Sequence, residues 1–175
     1  MTLAPDLSDS ELRALTKYIE AFPNGFTKIA TSADRLLCGL DSMSKTIDAM
    51  HPDVLCPKVS DLEEIVQDKE YQTAAGDFVL KDEEVNTNLF TADQLAKILQ
   101  IWGHSKSSGK VLQLGWLTDD GLPRLCPCLN EDKATVVWLH NDDAEAKFAS
   151  AIMGGTTGVF GGLIGHWSGV KAKSS

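Results

Sequence analysis

The side chains best suited to chemistry here are four cysteines and four histidines. Cys126-Pro127-Cys128 would set two thiols on one side of an extended chain, with His140 a strand away. Two thiolates and an imidazole are zinc-type ligands, but a structural zinc site needs a second pair at similar spacing. Cys38 and Cys56 are single and distant, so no metal is expected. A redox role for the pair needs a lowered thiol pKa, and nothing in the sequence shows one. His51, His104, His140 and His166 are scattered. The patterns G-x-S-x-G, HExxH and the phosphate-binding loop are missing from the sequence. Asp119-Asp120 and Asp142-Asp143 read as turn and helix-cap residues. Catalytic residues therefore stay unassigned, and an enzyme is the less favoured reading.

Two other features suit a partner surface. Leu36, Leu40, Met43, Ile47 and Met50 follow at alternating steps of four and three, an apolar seam about two heptads long. The second feature is charge. The 175 residues carry a formal net charge of −9, and the segment 61–86 holds nine acids against two bases. Glu63, Glu64, Asp82, Glu83 and Glu84 stand out within it. The rest of the chain is close to neutral. Such a segment can guide a basic protein partner, raising the on-rate more than the affinity. Nucleic acid is not expected, because phosphate binding needs clustered Lys and Arg.

The stretch Leu114-Gly115-Trp116-Leu117-Thr118-Asp119-Asp120-Gly121-Leu122-Pro123-Arg124-Leu125-Cys126-Pro127 offers a different chemistry. It resembles the first hairpin of flavin-binding split barrels, with a strand, a D-G-x-P turn and a proline-bearing return strand. That likeness implies a flavin, with Trp116, Arg124 and His140 as the residues to hold it. Those barrels grip the flavin phosphate with several Arg, Lys and Ser residues, whereas this hairpin supplies Arg124 alone. No cofactor is expected in the leading reading, and flavin is its alternative.

The tract from Ala151 to Val170 has no Asp, Glu, Lys or Arg, and its glycines recur four apart. Small residues at that spacing let helices pack closely in a membrane. Glycine also lowers helix propensity. The tract is therefore expected to be a Gly-punctuated strand and turn, with a protein-binding tail or membrane association as alternatives. The N-terminus has neither a basic region nor an apolar stretch, so a cytoplasmic protein is expected. Sparse cysteines agree with a reducing compartment.

The elements follow from periodicity and punctuation. Ser8 and Glu11 have capping-box spacing before a helix with Leu12, Leu15, Tyr18, Ile19 and Phe22 on one face. Pro23-Asn24-Gly25 ends it. The seam helix starts near Thr31 or Ser32 and stops at His51-Pro52. Ser60 with Glu63 opens a third helix running to about residue 73. Thr91 opens a fourth, closed by Gly103 and a polar loop. Strands are expected at 111–117, 122–129 and 134–140, forming an antiparallel meander, with the second strand at an edge because Pro123 and Pro127 lack donors. A further helix is expected from about 142 to 153. The fold class is α+β: an N-terminal helical region (1–75), then an α+β region (76–175) whose meander spans 111–140 and is flanked by helices. The function expected is a non-catalytic protein-interaction module, an adaptor or assembly subunit.

Overall fold

The computed structural model describes residues 8–31, 38–67, 92–107, 109–118, 122–141 and 167–174. The class is α+β, as expected, with helices flanking a five-stranded sheet. The helices are α1 (Asp9–Ala21), α2 (Cys38–Met50), α3 (Val59–Gln67) and α4 (Ala92–Lys106). The strands are β1 (Phe26–Ile29), β2 (Leu112–Leu117), β3 (Arg124–Leu125), β4 (Thr135–Asn141) and β5 (Trp167–Ala172), in the order β1-β5-β4-β2-β3.

The sheet corrects the expected meander. β2 and β3 form the antiparallel hairpin, but β4 pairs parallel with β2, with Leu112 opposite Thr135 and Leu117 opposite His140. The prolines explain this. Cys126 N–H donates inward to the Leu114 carbonyl at 2.9 Å. Since N–H directions alternate along a strand, those of positions 123, 125 and 127 point outward. Two of these three are proline, so the outer edge of β3 cannot receive another strand. The chain instead passes below β2. Asn130 adopts a left-handed φ of 58°, a 3₁₀ turn follows at Glu131–Lys133, and Thr135 N–H donates to the Val111 carbonyl at 2.8 Å. The Gln113 amide fastens the crossing by donating to the Cys126 carbonyl (2.8 Å) and Glu131 Oε1 (2.7 Å).

The β1 strand was not expected from sequence; its four residues show no clean alternation, and it forms by pairing with β5. β5 itself comes from the last part of the glycine tract, and the rest of that tract, residues 151–166, lies outside the described residues, as do the turn at 119–121 and the expected helix at 142–153. Two helix boundaries also move. α3 begins at Val59, where Asp61 accepts from the Lys58 N–H at 2.9 Å, so Ser60 lies inside the helix rather than capping it. α4 continues through His104 to Lys106, beyond the loop expected there.

One face of the sheet holds Leu112, Leu114, Val137, Leu139 and Trp167 under α2, α3 and α4. Trp138, Leu117 and Val170 line the other face, with Phe22 and Tyr18 of α1 packed against them. The Trp138 ring meets Tyr18 edge-on at 6.0 Å and Phe22 at 6.1 Å between centroids. Gly115 makes this possible, because a Cβ there would come within 2.6 Å of the Trp138 ring. Residues from both expected regions share one core, with Leu40, Leu62, Leu99 and Leu114 in a single cluster.

Candidate functional site

The chemistry-bearing residues do not converge. β3 ends at Leu125, so Cys126 and Cys128 lie in the loop that follows. Cys126 turns into the helix-covered core with its thiol 3.8 Å from the Ala92 carbonyl, while the Cys128 thiol is 3.2 Å from the Leu129 carbonyl. Burial, and then the Glu131 charge, push the Cys128 thiol pKa up. The Cys56 thiol is also pushed up, by burial first. Both are poorer nucleophiles than an ordinary cysteine. His140 is buried on the opposite face of the sheet from Cys126, beside Phe26 at 5.9 Å between ring centroids. Among the described residues no group of His, Cys, Asp and Glu is placed to hold a metal.

The flavin alternative separates in the same way. Arg124 lies over the Trp116 ring at 5.1 Å, and Trp167 is 5.8 Å from Trp116 on that face. His140 pairs in register with Leu117, the residue after Trp116, so its side chain emerges on the other face. The guanidinium of Arg124 donates to Thr118 Oγ1 at 2.7 Å and to the Leu122 carbonyl at 2.9 Å, which ties the end of β2 to the start of the return strand.

The apolar seam of α2 is the inner face of that helix. Leu40, Met43 and Ile47 are at most 1% exposed, within the core beneath the sheet. Met50 is half-buried and packs in the second cluster. These four residues are therefore no docking surface, which corrects the partner-binding role expected for them. Leu36 lies outside the described residues, as do Asp82, Glu83 and Glu84. Glu64 is exposed on α3, and Glu63 is half-buried beside it.

α2 lies unusually close to the strands. A Cβ at Gly169 would stand 2.9 Å from the Lys45 Cβ and 3.2 Å from the Ser42 carbonyl oxygen. At the same place Thr46 enters the sheet. Its hydroxyl donates to the Trp138 carbonyl at 2.9 Å and accepts from the Val170 N–H at 2.9 Å. One side chain thus bridges β4 and β5 just past their last direct pair, Leu139 with Gly169.

The apolar ridge that remains outside is on α1. The single face expected for this helix divides in two. Ala14 and Phe22 are buried and Tyr18 is half-buried against the sheet, but Leu12 is 52% exposed and Ile19 56% exposed. Leu15 stands between them, half-buried. The steps are three and four residues, the spacing of a helix-packing seam. Asp9, Glu11 and Glu20 are exposed around it. Asp9 precedes Leu12 by three residues, Glu11 precedes Leu15 by four, and Glu20 follows Thr16 by four, so each carboxylate borders the ridge. Arg13 turns away to Glu131, at 2.8 Å. The helix is firmly started: Ser8 Oγ accepts from the Glu11 N–H at 3.2 Å, and Glu11 Oε1 accepts from the Ser8 N–H at 2.9 Å. The sequence held a signal for this ridge, since α1 carries more apolar residues than one flat neighbour can cover.

Among the described residues no helix is long and apolar enough to cross a membrane. No protein-family model, curated protein or solved structure matches the chain.

Proposed function

We propose that this chain is a protein-interaction module, an adaptor or assembly subunit, and that its docking face is the outer ridge of α1 rather than the seam of α2. The observation that carries this reading is the exposure of Leu12 and Ile19 at seam spacing on a capped helix whose inner face is already anchored. Isolated exposed leucines are common, but two aligned one heptad apart, with a third between them, present a continuous apolar strip. The edge strand β3 is a weaker candidate. Leu122 and Leu129 are exposed near it, but Pro123 and Pro127 remove the donors that strand addition needs.

The test is site-specific photo-crosslinking in extract of the native cells. A photoreactive residue at Thr16, within the ridge, should give a product of defined mass. The same group at Asp48, exposed on α2 across the sheet from α1, should not. Leu12→Ser with Ile19→Ser should abolish the product. Equal products from both positions, or none from Thr16, would overturn the reading.

A further inference from the structure

We infer that the partner of α1 is an amphipathic helix with basic flanks, a conclusion that rests on the α1 ridge being the docking face. Two observations lead there. The ridge Leu12–Leu15–Ile19 advances by three and four residues, which matches the groove of another helix and not the two-residue repeat of a strand. Its border is acidic, with Asp9, Glu11 and Glu20 all exposed. The nearest basic side chain on the helix, Arg13, is held by Glu131.

The same charges argue against the two other occupants a bare apolar ridge could take. A second copy of α1 packed antiparallel, with Leu12 on Ile19 of the copy, brings Asp9 beside Glu20 of the copy, since both lie on the same flank of the ridge. Parallel packing sets one flank against the other and brings Glu11 beside Asp9 of the copy. Like charges so placed are repulsive, so self-pairing is selected against. An anionic membrane surface is repelled by the same three carboxylates, since surface helices of that kind carry Lys and Arg on their polar face. A helix with Lys or Arg beside its apolar stripe answers both the spacing and the charge.

Two synthetic helical peptides test this on the intact chain. Both carry leucines at seam positions; one has lysine and the other glutamate at the flanking positions. The lysine peptide is expected to shift the backbone amide resonances of Leu12, Leu15 and Ile19. Its affinity should fall at least tenfold when salt is raised from about 0.05 to about 0.5 M, because Debye screening then covers such distances. The glutamate peptide should bind at least tenfold more weakly. Asp9→Lys with Glu20→Lys should reverse that preference, with helicity by circular dichroism confirming the fold. Equal binding of both peptides, binding of neither, or a salt-insensitive complex would overturn the basic-helix assignment. So would sedimentation as a dimer whose contacts map to α1. None of these results bears on the α1 crosslinking at Thr16, so failure of the partner class and failure of the docking face are told apart.

Discussion

α1 and α2 are each 13 residues long and each carries apolar residues at steps of three and four, yet they end in opposite situations. α2 buries Leu40, Met43 and Ile47 fully and Met50 partly. α1 buries one stripe and leaves the other in solvent. The difference lies in what each helix packs against. α2 lies on the face it shares with α3 and α4, and small or polar residues on it admit the backbone of β5 to close range. α1 packs on the opposite face through Tyr18 and Phe22, and its outer flank keeps no cover among the described residues. Periodicity reports that a helix has an apolar stripe; whether another element of the same chain covers the stripe depends on the layers around it.

The largest effect should come from α2. Leu40→Ala is expected to cost about 3 kcal/mol, the ordinary range for a fully buried leucine, read from the urea midpoint. Leu40→Glu with Ile47→Glu should leave no folded sheet, seen as loss of the near-ultraviolet tryptophan signal. A folded double variant would mean that the α2 seam is accessible and that the two helices do not differ as described.

Thr46→Val comes next. The shape is kept, but the Trp138 carbonyl and Val170 N–H lose their shared partner in a buried site. A cost of about 3 kcal/mol is expected, again from the urea midpoint. A cost below about 0.5 kcal/mol would show that β4 and β5 close directly on each other without the helix.

A smaller effect belongs to His51, just past the end of α2. Burial holds its pKa below the ordinary 6.5, against an opposing pull from Asp53. Its Nε2 is buried and has no hydrogen-bond partner among the described residues. The unfolded chain therefore takes up the proton more readily than the folded one. Its contribution is complete above pH 6.5 and declines as pH falls through that value toward the lowered folded pKa. His51→Gln should flatten the loss of stability below pH 6.5, measured as denaturation midpoint against pH. An unchanged slope would assign that acid sensitivity to other groups.

The smallest stability effect should be on α1. Leu12→Ser with Ile19→Ser is expected to move stability by no more than about 0.5 kcal/mol, because both side chains already face water. The same variant should lose the Thr16 crosslink. A large loss of stability would place the ridge in the chain's own packing and remove the contrast with α2.

Much of this was legible in linear form. Ser8 and Glu11 announced the capping box that starts α1, and Pro123 with Pro127 placed β3 at an edge. The hydrophobic repeats located all four described helices, and the 111–140 region read as strands. The α2 seam was also visible, but its role was not. Burial is a property of the neighbours, and those neighbours, β4 and β5, are brought to α2 from about 90 or more residues away in sequence. The parallel pairing of β2 with β4 was hidden for a related reason. Each proline is local information, but its consequence appears only when the outward edge of β3 is seen to lack donors and the chain must cross below β2. β1 was invisible because four residues of weak pattern become a strand only when β5 pairs with them.

Sequence by itself determined the helices, the α+β class, the capping box and the concentration of negative charge in one segment, because each depends on spacing along the chain. Tertiary structure alone decided which apolar stripe is core and which is surface. It also separated His140 from Trp116 and Arg124, and made Thr46 a bridge between strands. Those outcomes depend on which face of a sheet a residue occupies and on what lies across from it, and the spacing of residues along the chain specifies neither.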